Sequence, residues 1–481
     1  MATDINKTGT DLTQGSITRN LIKLSLPIML SNFMQTFYNL ADTFWLGKLA
    51  ENAKAAVSTA GIAFPIVFTL ASFGFGFGIA GTALISRFKG AVQPEKIKET
   101  IGQFALILVL FTAVFLFFSL FFLNDLLRLM HVPAEMFEMS RTYLQIILIG
   151  MAFMFVFMFY QAAAHGLGDT VSPMKIQVVS VLTNVILDPL IIFGIGFFPE
   201  MGVKGAALAT LSSRILAAVI AIIVMKRFTP DLLPSLRDLK PNLRVLGNIF
   251  RIAVPASIGH SVTSFGFLFL QGFVNTFGTV VISTFSIGNR MTGLFMMPAI
   301  GISSALSTVV GQNLGAGKID RVKESLNKSL LLVFIILGAG SSVLYFFGAE
   351  LTRFFIDDPG VIEVGVRMFK VTSIATFVFG FMFVFTGVFN GAGLTGASLK
   401  INVSRLWLFR IPAVFILSGK ILDIDAIARS PIAGLLEKIA QPLSAYPYDA
   451  LWWSMIISNA AAGIWSYFIY KRGKWKKLKF D

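Results

Sequence analysis

Twelve apolar stretches, each long enough to cross a bilayer, constrain this chain more than any other feature. A membrane helix needs about 20 mostly apolar residues. Such stretches lie near 20–46, 56–84, 101–124, 140–163, 173–197 and 204–225, then near 248–276, 283–311, 326–348, 362–390, 399–419 and 450–470. The reading is an all-α polytopic membrane protein of twelve transmembrane helices. Composition agrees: 55% of the 481 residues are hydrophobic and 14% charged, against about 25% charged in an average soluble domain. The first apolar stretch follows a polar segment and is too long for a signal-peptide core, so it is expected to remain as the first span.

The net charge of +15 would suggest nucleic acid in a soluble chain. Here the basic residues sit in short loops, which suggests orientation instead. The tail Lys471, Arg472, Lys474, Lys476, Lys477 and Lys479 is strongly basic and is expected to be cytoplasmic. With twelve spans the N-terminus shares that side, as do Arg87, Lys89, Lys226, Arg227, Lys318 and Arg321. Glu51, Asp125, Glu135, Asp357 and Asp358 fall on the other. The chain has no cysteine, which excludes disulfides, thiolate zinc sites and cysteine nucleophiles.

The second half repeats the first. Gly166-Leu167-Gly168-Asp169-Thr170 returns as Gly391-Ala392-Gly393-Leu394-Thr395, and Gly90, Lys98 and Glu99 return as Gly315, Lys323 and Glu324, all at an offset of 225. Pro27 matches Pro255 at an offset of 228. Six spans per half give two copies of like orientation, residues 1–225 and 248–481, joined by a cytoplasmic linker over 226–247. Repeats of this kind commonly place a binding site between them. The loop near 420–449 has no counterpart and is read as an external segment with a short helix.

A carboxylate at the centre of a span costs roughly 2.5–3.5 kcal/mol on insertion scales and so needs a reason. Asp42 ends a polar stripe of Ser31, Gln35 and Asn39 on the first span. Asp188 follows Ser180 and Asn184 at every fourth position on the fifth, and Pro189 frees a backbone carbonyl beside it. Two enclosed carboxylates can take up and release a proton or, with Asn and Thr oxygens, hold sodium. Arg290, Arg367, Lys370, Arg405 and Arg410 are the intramembrane cations of the second half, which offers no clear intramembrane carboxylate. They could bind anions, although such residues more often snorkel or pair with carbonyls.

Other motifs lack their context. Gly166-Leu167-Gly168-Asp169 matches the GxGD string of intramembrane aspartyl proteases, but the Tyr-Asp pair, Tyr448-Asp449, comes later and in a loop. Gly315-Ala316-Gly317-Lys318 is no phosphate loop, since Gln312 stands at the required first glycine and Ile319 follows the lysine.

Together these residues resemble the multidrug and toxic-compound extrusion (MATE) family. The strings that carry the likeness are Tyr38-Asn39-Leu40-Ala41-Asp42-Thr43, His165-Gly166-Leu167-Gly168-Asp169-Thr170, Ile287-Gly288-Asn289-Arg290, Val310-Gly311-Gln312-Asn313-Leu314-Gly315 and Phe409-Arg410-Ile411-Pro412. The resemblance implies two pseudo-symmetric six-helix lobes around a central cavity, in a prokaryotic plasma membrane. It also implies a secondary antiporter, not an enzyme, that exchanges protons or sodium for organic, often cationic and aromatic drugs. It carries the coupling site onto Asp42, Asn184, Asp188 and Thr210. Gln35, Tyr38, Asn39, Tyr160 and Gln161 are expected to line the substrate cavity, and Pro27, Pro189 and Pro255 to bend their helices. No cofactor beyond the coupling ion and no nucleic acid are expected, and the chain is expected to be a monomer. The alternative is a lipid-linked oligosaccharide flippase of related fold, for which Arg290 or Arg405 would matter more than the aspartates; an intramembrane enzyme is a distant third.

Overall fold

The computed structural model describes residues 9–49, 53–235, 238–476 and 480. Glu51, Lys477 and Lys479, used in the charge reading, lie outside them. The long helices are α1 (Ile17–Leu46), α2 (Ala53–Gly90), α3 (Pro94–Phe121), α4 (Ala134–Gly166), α5 (Val171–Ile192), α6 (Gly202–Phe228), α7 (Leu243–Asn275), α8 (Thr279–Gly315), α9 (Ile319–Phe346), α10 (Pro359–Gly391), α11 and α12 (Ala450–Lys471). α11 is composite: an α-helical start over Thr395–Val403, a π-helical stretch over Ser404–Arg410 and an α-helical end over Ile411–Leu417. Among the described residues there is no strand.

Nine helices among the described residues are long and apolar enough to cross a membrane by length and composition alone. The remaining three are α1, diluted by its polar stripe, α11, broken by its π-helical stretch, and α12, rich in Trp, Ser, Asn and Tyr. The helices carry apolar faces that no protein covers. On α3, Val109, Leu110, Val114, Phe117, Phe118 and Phe121 are all exposed. A continuous apolar face of that kind is a liability in water and ordinary against lipid.

Helix ends follow local chemistry. The Ser16 hydroxyl accepts the Arg19 N–H to start α1. Asp358 accepts the Val361 N–H at 3.0 Å, with Pro359 leading α10. The Asp169 carboxylate accepts the N–H groups of Val171 and Ser172, both at 3.0 Å. That cap accounts for the acidic residue of the GxGD string without any catalytic role. The turns that precede α5 and α11 are copies. Gly168 and Gly393 both take positive φ, 76° and 74°. Asp169 N–H bonds the Ala164 carbonyl at 2.8 Å, and Leu394 N–H bonds that of Phe389 at 2.7 Å. The left-handed position is open to glycine without strain, so both repeats keep it.

The described chain divides into two compact units: residues 1–257 with 308–321 and 479–481, and residues 258–307 with 322–478. In the first, α2 packs on α4, α4 and α5 on α6, and α1 on α5. Its core includes Leu144, Ile147, Met151, Phe155 and Ala207. In the second, α10 packs on α12, and α12 on the π-helical stretch of α11. The connection between α6 and α7 is pinned to α3. Gln103 donates to the carbonyls of Asp238 and Lys240 at 2.9 and 2.8 Å and accepts the Asn242 N–H at 2.9 Å. α6 continues to Phe228 and α7 starts at Leu243, so the helices enter both ends of the stretch 226–247. The 420–449 segment holds the short helices Asp425–Ala428 and Ala433–Ala440.

Candidate functional site

The polar stripes of α1 and α5 meet in the first unit. α5 contributes Asn184 and Asp188, one turn apart and both 0% exposed; the Asn184 amide donates to Asp188 Oδ1 at 3.3 Å. α1 contributes Tyr38 and Asp42, also one turn apart. The Asp42 carboxyl lies against Asp188, Asn184 and Tyr38, with the Arg214 guanidinium in electrostatic range. α6 closes the site with Thr210, buried, whose Oγ1 accepts the Tyr38 hydroxyl at 2.9 Å. Around it the backbone is tied down: Ser180 Oγ donates to the Ser213 carbonyl and Ser213 Oγ to that of Thr210, both at 2.9 Å. Arg214 is held from α4 by the Ile147 carbonyl, 3.3 Å from its Nη1.

Three oxygens in this cluster are enclosed and receive no hydrogen bond: Asp42 Oδ1, Asn184 Oδ1 and Asp188 Oδ2. Buried acceptors without donors are costly, at about 1–3 kcal/mol each and more when charged. Three of them on adjoining residues, two from carboxylates, are the oxygen chemistry that suits a proton or a small hard cation. All four residues expected to couple the ion, Asp42, Asn184, Asp188 and Thr210, are therefore brought together.

The residues expected to line the cavity lie at several depths. Tyr38 belongs to the carboxylate cluster. Gln35 and Asn39 are exposed, and Gln35 accepts from Gln177 Nε2 at 3.1 Å. Tyr160 is buried beside Asp169 and Ser172, at the opposite end of α5 from Asp188. Sixteen residues of helix separate those ends, about 24 Å. Gln161 is half-buried on α4. Pro27, Pro189 and Pro255 lie inside α1, α5 and α7, and Pro298 inside α8 was not singled out.

Two members of the cluster escaped the sequence reading, Tyr143 and Arg214. Tyr143 is buried on α4 within range of Asp42, Asp188 and Arg214. Arg214 carried a usable signal, since it is a charge inside the apolar stretch 204–225. Also missed was an apolar pocket between α2, α3 and α4, lined by Phe77, Phe104, Phe111, Phe155, Met158 and Phe159.

A family model described as MatE matches residues 27–190 and matches again over 255–416. The chain belongs to the MATE family. The double match is also the internal repeat, found independently. A probable multidrug resistance protein, YoeA of Bacillus subtilis, is 28% identical over 407 residues, covering 84% of this chain and 87% of the relative. An FAD transporter of Shewanella oneidensis is 26% identical over 454 residues, covering 92% and 99%. Among solved structures, an outward-facing MATE multidrug transporter superposes with a TM-score of 0.84 at 22% identity, covering 99% of this chain and 98% of that one. The MATE fold, two six-helix halves in a membrane, is thus the fold of this chain, and its place among transporters rather than enzymes follows from the family.

Proposed function

We propose that the protein is a secondary antiporter that exports organic, often cationic and aromatic molecules from a prokaryotic cell in exchange for protons or sodium, with Asp42 and Asp188 as the coupling pair. The observation that carries this is the presence of three donorless oxygens on the adjoining residues Asp42, Asn184 and Asp188. Two ionised carboxylates against one guanidinium, Arg214, leave one negative charge uncompensated in an enclosed site. One bound proton or sodium ion removes it. Binding neutralises the repulsion between α1 and α5 and lets them repack, with Pro27 and Pro189 as the points where those helices can bend. The ion drives transport only through its different affinities in the two states. Asn184 and Thr210 position the carboxylates or ligate the ion directly. Residues 1–225 and 248–481 act as the two lobes, 226–247 links them on the cytoplasmic side, and both termini lie there by the basic bias of the loops. The multidrug name of the Bacillus relative supports the cargo class.

The test uses purified protein in liposomes, following ethidium under an imposed pH gradient without sodium. Dye transport lost in both Asp42→Asn and Asp188→Asn supports proton coupling through this pair. Transport that needs a sodium gradient keeps the site and changes the ion. No dye movement under either gradient by folded protein overturns the reading in favour of the flippase.

A further inference from the structure

The second unit contains a cluster that cation coupling does not use. Five cations were expected within its spans. Arg290 and Lys370 are exposed, and Arg367 is paired with Asp449. Arg405 and Arg410 are different: they are 3% and 4% exposed. Neither guanidinium makes a hydrogen bond within the described residues, and the Nε of each is fully enclosed without an acceptor. No carboxylate acts on either; the charged neighbour of Arg410 is Arg405.

The backbone brings them together. Five residues of α-helix rotate a side chain by about 500°, which would leave the two arginines roughly 140° apart around the axis. Ser404–Arg410 is instead π-helical, and its wider turn, with i→i+5 hydrogen bonds, brings positions five apart much closer to one side than an α-helix does. The stretch lies midway along α11. Each guanidinium lies over an aromatic ring, Arg405 4.5 Å from the centre of Phe379 and Arg410 5.9 Å from that of Phe267. Cation–π contact eases the charge but leaves the N–H donors unsatisfied. Two neighbouring like charges that are almost wholly buried, with their Nε donors enclosed and no acceptor bonded, lack a counter-charge of the shape that arginine forks match.

We propose that Arg405 and Arg410 form an oxyanion-binding site, taking a phosphate-sized group presented either as a free ion or on an aromatic organic molecule. The arginines belong to the second unit and the carboxylates to the first, and the proposal does not depend on the coupling reading. The probe is inorganic phosphate, titrated into the purified full chain in neutral detergent at constant ionic strength, with heat of binding as the readout. Saturable binding is expected, weakened roughly tenfold or more in Arg405→Gln or Arg410→Gln, the scale of one lost charge-assisted contact. Phenyl phosphate that competes with phosphate and accumulates in liposomes assigns the group to a carried molecule; phosphate binding with phenyl phosphate excluded assigns it to a free ion. Should the glutamine variants fail to fold, wild-type crystals grown with selenate give the location directly, as an anomalous peak between the two guanidiniums. No saturable binding by folded wild-type protein, equal binding in both folded variants, or no selenate at these side chains overturns the proposal.

Discussion

Gly90 and Gly315 occupy equivalent positions in the two repeats and each lies against the other repeat's helix end. A Cβ on Gly90 would stand 1.9 Å from the Gln312 carbonyl oxygen, and one on Gly315 would stand 2.0 Å from that of Arg87. Arg87 and Gln312 are themselves separated by the repeat offset of 225. A reciprocal contact of this kind is what a two-fold relation produces, with the same patch serving on both sides. Here the ends of α2 and α8 cross backbone to backbone.

Alanine at either glycine must therefore push two backbones apart. Gly90→Ala and Gly315→Ala are each expected to cost about 1–3 kcal/mol, the usual penalty of overpacking. Gly272→Ala, where an added Cβ meets nothing within 4 Å, is expected to be neutral or slightly stabilising. Melting temperatures in detergent check the contrast, and equal shifts at all three positions would sink it.

Much of this was legible in the sequence, and the limits have physical reasons. Span lengths, the offset of 225 and the Asn184–Asp188 spacing are one-dimensional periodicities, and they foretold α5 and its polar face. The depths of Tyr160 and Gln35 were not legible, because a polar residue on an apolar helix announces burial or function without saying at which depth or toward which neighbour. The π-helical stretch of α11 has no periodic signature, so the pairing of Arg405 with Arg410 appeared only in three dimensions. The role of Gln312 was likewise hidden, since its partners lie far away along the chain.

Gln312 is fully buried and bridges the N-terminal segment to α4. Its Oε1 accepts the Leu12 N–H at 3.0 Å and its Nε2 donates to the Gly166 carbonyl at 3.2 Å. Asn313 adds a bond from its Nδ2 to the Leu12 carbonyl at 3.1 Å. Gln312→Ala leaves one buried N–H and one buried carbonyl without these bonds, an expected loss of about 2–4 kcal/mol. Truncation before residue 16 also removes the Leu12 side chain, which is 0% exposed. Hydrogen exchange at Leu12 should quicken in Gln312→Ala; unchanged protection would show that the side chain is not what holds the segment.

Within the carboxylate cluster, Tyr38→Phe separates structure from coupling. The variant loses the bond to Thr210 but keeps the ring, so stability is expected to fall by about 0.5–1.5 kcal/mol while ion dependence persists. Asp188→Asn is expected to abolish gradient-driven dye transport in a folded protein. Retained coupling in Asp188→Asn would remove that residue from the mechanism.

Asp238 gives a pH signature outside the membrane spans. The Ser235 hydroxyl and N–H donate to its Oδ2 at 2.6 and 2.7 Å, and these bonds, with Lys98 nearby, hold the carboxyl below its ordinary range. A lowered folded value means stability that is fully present above the unfolded value of about 3.9 and is lost as pH falls through the folded one. Exchange at the Ser235 amide should therefore stay slow down to about pH 4 and lose protection below it, after correction for intrinsic rates. In Asp238→Asn the protection should already be reduced at neutral pH. A wild-type profile flat to well below that range would show that the turn is held by the pinning to Gln103 instead.

The segment 420–449 is fastened to α10 by the ion pair of Arg367 with Asp449. Arg367 Nε donates to Asp449 Oδ2 at 3.2 Å, its Nη2 reaches the same oxygen, and the Tyr446 ring lies 3.6 Å over the guanidinium. The arginine side chain is 36% exposed and the aspartate 7%, so the two ends of the pair differ in what their loss costs. Removing the arginine strands a buried carboxylate whose Oδ1 already lacks a donor. Arg367→Met is accordingly expected to cost about 1–3 kcal/mol, a figure reduced from that of a fully buried pair because water reaches the arginine. The double variant Arg367→Met/Asp449→Asn should recover part of that loss, since no charge is then left behind. Thermal unfolding of the two variants decides it: a double variant less stable than Arg367→Met would mean that Asp449 stabilises the segment through contacts other than the arginine.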